Sequence, residues 1–161
     1  MTDFSETMGH LSPVWTHYTP ILAKRGEGCY LYDAEDQAYL DFTCGSGATN
    51  TGHCHPKVVE AIRQQAGQII HAQINIVIHE PILRLVEELR SIVPPSIDAF
   101  FFSNSGAEAI EGAIKLARQV TGRTNNMVFQ SSFHGRTDGT MSLTAARTVE
   151  RASNSAPYPT W

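Results

Sequence analysis

The chain has 161 residues, 42% of them hydrophobic and 17% charged, with a formal net charge of −4. That is the composition of a globular protein, long enough for one domain with its own core. Its twelve basic residues are scattered along the chain, which argues against a nucleic-acid partner, and no apolar run approaches the length needed to span a bilayer.

Residues 1–12 are polar and acidic, unlike a signal or transit peptide, and point to the cytoplasm. Residues 1–25 lack clear periodicity, with Trp15, Tyr18 and Ile21 as the expected anchors of a segment draped over the rest. Residues 29–33 and 38–42 read as short strands, joined as a hairpin by Ala34-Glu35-Asp36-Gln37. A Gly-rich stretch, 44–48, then runs into Gly52-His53-Cys54-His55-Pro56. Cys29, Cys44 and Cys54 are odd in number without metal-type pairing, and read as reduced thiols. Pro56 opens a helix with Val59, Ile62, Ala66 and Ile69 on its apolar face. Residues 71–80 read as a loop. Pro81 opens a second helix, with Ile82, Val86, Leu89 and Val93 aligned, stopped by Pro94-Pro95.

The apolar run 99–102 reads as a strand that ends in the small-residue turn 103–107. A helix follows, with Ile110, Ala113, Ile114, Ala117 and Val120 on one face and Gly122 as its C-cap. Glu111 and Lys115 are expected to pair at i,i+4 on the other face. A second strand, 126–130, leads into the polar loop 131–140. Strand, helix, strand predicts a parallel α/β layer, in which ligands sit at the carboxyl ends of the strands. The turn 103–107 and the loop 131–136 both follow strands, so they are expected on one edge.

A helix entered through small residues presents unpaired N–H groups and the positive end of its dipole, and lets an anion approach the backbone. With Phe133 and Arg136 at the same mouth, such a site suits a flat phosphorylated cofactor. The ring would stack on Phe133, and Arg136 would hold a substrate carboxylate in a bidentate pair. Taken singly, each feature has a plainer reading: a strand–turn–helix without ligand, a core aromatic, a solvated arginine. Their joint occurrence favours the site. His53 and His55 form a His-x-His pair without further ligands at workable spacing, so no metal is expected.

These residues resemble the class III aminotransferases, which use pyridoxal phosphate on the type I fold, and the likeness runs from about residue 25 to 143. Residues 26–33 and 39–42 are similar to the family's opening hairpin, and 50–59 to its Gly-His-x-His-Pro signature. Residues 104–109 with Lys115-Leu116-Ala117-Arg118 resemble its phosphate-binding turn and helix. Residues 132–137 resemble the loop carrying the ring-stacking aromatic. The resemblance implies that Gly106 and Ala107 donate backbone N–H groups to the cofactor phosphate, bordered by Ser105. It implies that Phe133 stacks on the pyridine ring with His134 beside it. Arg136 would meet a carboxylate of the amino donor or acceptor, as in the acetylornithine, ornithine and 4-aminobutyrate branches. His53 and His55 fit the pattern as structural residues. Many relatives carry bulky aliphatics near Ser46 and Ala48, so a roomier or more polar substrate pocket is expected here.

Transamination needs a Schiff-base lysine to hold the cofactor and move the proton, and an acid at the pyridine nitrogen. The resemblance places both well downstream of the Phe133 loop. The chain has only Lys24, Lys57 and Lys115, and none fits that position, so no catalytic residue is expected within these residues. Residues 154–161 resemble a stretch that family members run straight through, and full-length relatives are well over twice as long. The expectation is an incomplete type I fold. Residues 1–52 would form an N-terminal segment contributing to the small domain, and 53–161 the first part of the large parallel-sheet cofactor domain. The isolated chain is expected to be inactive and poorly soluble or partly disordered, and the full-length protein a homodimer acting on an amino acid and a 2-oxo acid. One alternative is a non-catalytic short homologue that binds the cofactor phosphate or pairs with a full-length subunit. Related decarboxylases, racemases and aminomutases share these motifs.

Overall fold

Turn chemistry builds the first of two compact units, Met1–Ile78 and His79–Trp161. The computed structural model describes residues 4–14 and 17–145. Trp15, an expected anchor, and the segment 154–161 lie outside the described residues. In the first unit, β1 (Arg25–Glu27), β2 (Tyr30–Tyr32) and β3 (Ala38–Leu40) form an antiparallel sheet in that order. Register pairs Arg25 with Tyr32 and Tyr30 with Leu40. The expected hairpin is β2–β3, and β1 adds a strand before it. Asp33 organises the turn: its carboxylate accepts from the amides of Glu35 at 3.0 Å and Gln37 at 2.9 Å. The Tyr39 hydroxyl donates to the same carboxylate at 2.8 Å. Asp36 supplies the left-handed step with φ 60°. Arg25 lays its guanidinium over the Tyr32 ring, 3.5 Å from the centroid.

The single turn α1 (Ser5–Met8) precedes the sheet and is unforeseen by periodicity. Tyr18 is 88% exposed and anchors nothing among the described residues. Ile21 does find company: with Phe4, Leu22 and Tyr39 it lines a cavity of about 810 Å³ beside the hairpin. The Gly-rich stretch forms one turn, α2 (Cys44–Gly47), in which Gly45 and Ser46 are left-handed. Cys44 at φ 51° and Ser46 at φ 58° take a backbone conformation that a β-branched side chain resists. Ser46 therefore has a backbone reason to lack a branched side chain, whereas Ala48 is right-handed with φ −78°. The helix α3 (Pro56–Ala66) starts at its proline as expected, and Ile69 lies beyond its end.

The second unit contains α4 (Glu80–Ile92), α5 (Gly106–Thr121) and α6 (Asp138–Leu143). Helix α4 starts one residue before Pro81 and stops ahead of Pro94-Pro95, whose rings cannot continue it. The expected strands 99–102 and 126–130 are not formed, and neither is the parallel layer built on them. A strand exists through its ladder, and neither segment has a neighbour to pair with among the described residues. Their apolar side chains stay in solvent: Phe101 is 82% exposed and Phe129 89%. The stretch read as a loop to residue 140 instead turns into α6 at Asp138. No hydrophobic side chain is buried among the described residues, whereas Thr140 and Thr144 are. None of the described helices is long and apolar enough to cross a membrane.

Candidate functional site

The first turn of α5 is set by its cap. Ser105 is extended at the N-cap position, and its hydroxyl accepts from the Glu108 amide at 3.2 Å. Glu108 in return accepts from the Asn104 amide at 2.7 Å, a reciprocal arrangement close to a capping box. The Ala109 amide bonds the Ser105 carbonyl. Among the described residues that leaves the amides of Gly106 and Ala107 as the unsatisfied donors of this helix end. A methyl group built on Gly106 would meet no atom within 4 Å, so the mouth is open where an anion would approach. At the other end Gly122 takes the left-handed C-cap conformation, φ 68°, as its residue type predicts.

The loop before α6 lies on this first turn. Gly135 is buried with φ 138°, and a Cβ there would stand 2.7 Å from the Cβ of Ala107 and 2.6 Å from the Thr140 hydroxyl. Only glycine fits that contact. Threonines of α6 and its C-cap hold the loop from behind. The His134 amide donates to the Thr144 hydroxyl at 3.0 Å, and that hydroxyl lies 2.9 Å from the Thr140 carbonyl and 3.2 Å from the Gly135 carbonyl. Ala145 closes the loop by donating its amide to the Ser132 carbonyl at 3.0 Å. Thr137 and Thr140 form a capping box at the start of α6. Glu111 accepts from both, at 2.6 Å from the Thr137 hydroxyl and 3.2 Å from the Thr140 amide. Its expected pairing with Lys115 gives way to these two donors, because a carboxylate gains more from charge-assisted bonds in a half-covered site than from an exposed i,i+4 ion pair.

Among the expected site residues, Ala107 is joined to the loop through Gly135, and Ser105 caps the helix that presents Gly106. Phe133 is half-exposed, and the Arg136 guanidinium carbon stands 5.9 Å from its ring centroid. Sequence reasoning missed Glu111, Thr140 and Thr144. The Thr-x-x-Thr spacing at 137–140 followed by an apolar residue carried a capping signal that would have found α6.

A second polar centre lies in the first unit. His53 Nε2 donates to Asp41 at 2.8 Å, and Asp41 also accepts from the Thr43 hydroxyl at 2.6 Å and the Thr43 amide at 2.7 Å. The Thr43 hydroxyl, then the His53 ring, hold the Asp41 carboxyl well below the usual carboxylate range. Gly28 and His53 exchange two backbone hydrogen bonds, at 3.1 and 2.7 Å. A Cβ on Gly26 would strike the His53 side chain at 2.8 Å. His53 thus fastens the segment before α3 to the sheet.

A family model described as class-III aminotransferase matches residues 11–159. The chain is 45% identical over 125 residues to a probable 4-aminobutyrate aminotransferase of Bacillus subtilis, covering 77% of this chain and 29% of that protein. It is 41% identical over 135 residues to an acetylornithine aminotransferase of Archaeoglobus fulgidus, covering 84% of this chain and 35% of the relative. Among solved structures, an adenosylmethionine-8-amino-7-oxononanoate aminotransferase of Methanocaldococcus jannaschii matches with a TM-score of 0.75 and 30% identity. The match covers 87% of this chain and 35% of that one. The chain thus spans about a third of the length of these relatives.

Proposed function

Since the chain belongs to the class-III aminotransferases, we propose that it carries the phosphate-binding and ring-stacking side of a transaminase site. The family is pyridoxal-phosphate dependent, and when bound that cofactor supplies an electron sink for the carbon bearing the amino group. Ser105 caps α5 so that the Gly106 and Ala107 amides remain free to hold the phosphate. Phe133 offers its half-exposed ring to the pyridine, His134 borders it, and Arg136 receives a substrate carboxylate. The reaction is transfer of an amino group from an amino acid, ω-amino and ornithine-like donors included, to a 2-oxo acid. None of Lys24, Lys57 and Lys115 takes the covalent role in this reading. Residues 1–52 belong with a small domain and 53–161 with a large one, in a cytoplasmic homodimer.

One observation carries this reading. The loop backbone at Gly135 lies against Ala107, so the aromatic segment and the open helix mouth share one face. The test is a chimera in which residues 25–143 replace the matching part of the Archaeoglobus fulgidus acetylornithine aminotransferase. The chimera is expected to bind pyridoxal phosphate and transfer amino groups to a 2-oxo acid. Phe133→Ala within it should lower kcat/KM by roughly tenfold, the scale of one lost aromatic stacking contact. A chimera that folds and loads cofactor without transferring amino groups would contradict the proposal and favour a non-catalytic homologue.

A further inference from the structure

Glu111 sits one helical turn beyond Ala107, so the two share the α5 face that meets the loop. Ala107 receives Gly135, and the Glu111 carboxylate receives Thr137 and Thr140. A Cβ on Gly139 would collide with that same carboxylate, so the chain opposite it is as close as a backbone can come. Thr140 in turn bonds Thr137 and offers its carbonyl to Thr144, whose hydroxyl holds the His134 amide. An unbroken series of hydrogen bonds therefore leads from the middle of the first α5 turns to the residue beside Phe133. Thr140 and Thr144 are buried along this path. Buried hydroxyls accept few alternative arrangements, because an unmade bond there is costly.

We propose that Glu111 is a positioning residue that fixes the Phe133 loop to α5, so that ring stacking and phosphate contact act as one binding unit. This rests on the reading of the helix mouth and loop as a cofactor site. It adds that the geometry of the aromatic is set from α5 through Glu111, Thr140 and Thr144, which are not among the residues proposed to hold the cofactor. Glutamine at 111 retains the accepting Oε1 and should serve; alanine removes it.

The full 161-residue chain, Glu111→Ala, Glu111→Gln and Thr144→Val are compared by amide hydrogen exchange and by titration with pyridoxine phosphate. That probe has the ring and phosphate but no aldehyde to react with surface lysines. In Glu111→Ala the amides of Thr140 and His134 should exchange at least roughly tenfold faster, with α5 still protected, and Glu111→Gln should restore both. Pyridoxine phosphate should bind Glu111→Ala roughly tenfold more weakly, while inorganic phosphate binds all variants alike. Unchanged exchange at His134 in Glu111→Ala, failure of Glu111→Gln to restore it, or an unprotected loop in the parent chain would overturn the inference. If Glu111→Ala unfolds α5, Thr144→Val decides, since it cuts the path at α6 and should release His134 with α5 intact. Were the parent chain to bind no pyridoxine phosphate, the cofactor reading would fall, and the exchange data alone would still decide whether Glu111 holds the loop.

Discussion

At the scale of single residues, a few carboxylates set the backbone around them. Asp33 accepts from two turn amides and the Tyr39 hydroxyl, and Asp41 from Thr43, Cys44 and His53. The Tyr39 hydroxyl is the main influence holding the Asp33 carboxyl below its ordinary 3.8, and the same bond raises the Tyr39 phenol above its ordinary 10.0. A carboxyl depressed on folding contributes stability above its unfolded value and loses it as pH falls through the folded one. A phenol raised on folding contributes below its unfolded value and loses it as pH climbs through the folded one. Sheet stability, followed by the ring signals of Tyr30, Tyr32 and Tyr39, should therefore fall as pH drops below 3.8 and as it climbs above 10.0. Asp41→Asn should reduce the loss on the acid side; an identical acid limb would contradict the assignment. Residue identity made some of this legible in advance. Gly122 announces the C-cap of α5 by type alone, because caps are local chemistry. Glu111 did not, since its partners lie 26 and 29 residues away, and the sequence offered a nearer one in Lys115.

Among elements, the three longer helices were legible and the parallel strands were not, for one physical reason. A helix satisfies its own backbone, so the apolar spacing of α3, α4 and α5 with Pro56, Pro81 and Gly122 at their ends suffices to place them. The hairpin β2–β3 is likewise local, because its partner is a few residues away and Asp33 closes the turn. Segments 99–102 and 126–130 need neighbours that the described residues do not supply. The end of α5 offers a clean check. A Cβ on Gly122 meets nothing within 4 Å, so Gly122→Ala tests the left-handed backbone alone. It should lower helix stability by about 1 kcal/mol, read from urea unfolding, with Gly122→Asn costing less. No change on Gly122→Ala would mean that the helix ends elsewhere.

On the scale of the whole molecule, the described residues bury threonines and glycine rather than hydrophobic side chains. Ile70 is 88% and Met127 99% exposed, which is the burial pattern of elements whose apolar faces have no cover within these residues. The chain spans about a third of its relatives' length. One of the local arrangements that the described residues assemble is the open mouth of α5 with the Gly135 loop seated on it. The most direct test of that arrangement as a cofactor site is a titration of the full chain with pyridoxine phosphate, followed residue by residue in backbone amide spectra. The Gly106 and Ala107 amides should shift together with residues 133–136 along one saturating curve, and inorganic phosphate should move the helix amides while leaving the Phe133 ring unchanged. Shifts confined to other parts of the chain, or none at all, would contradict the account.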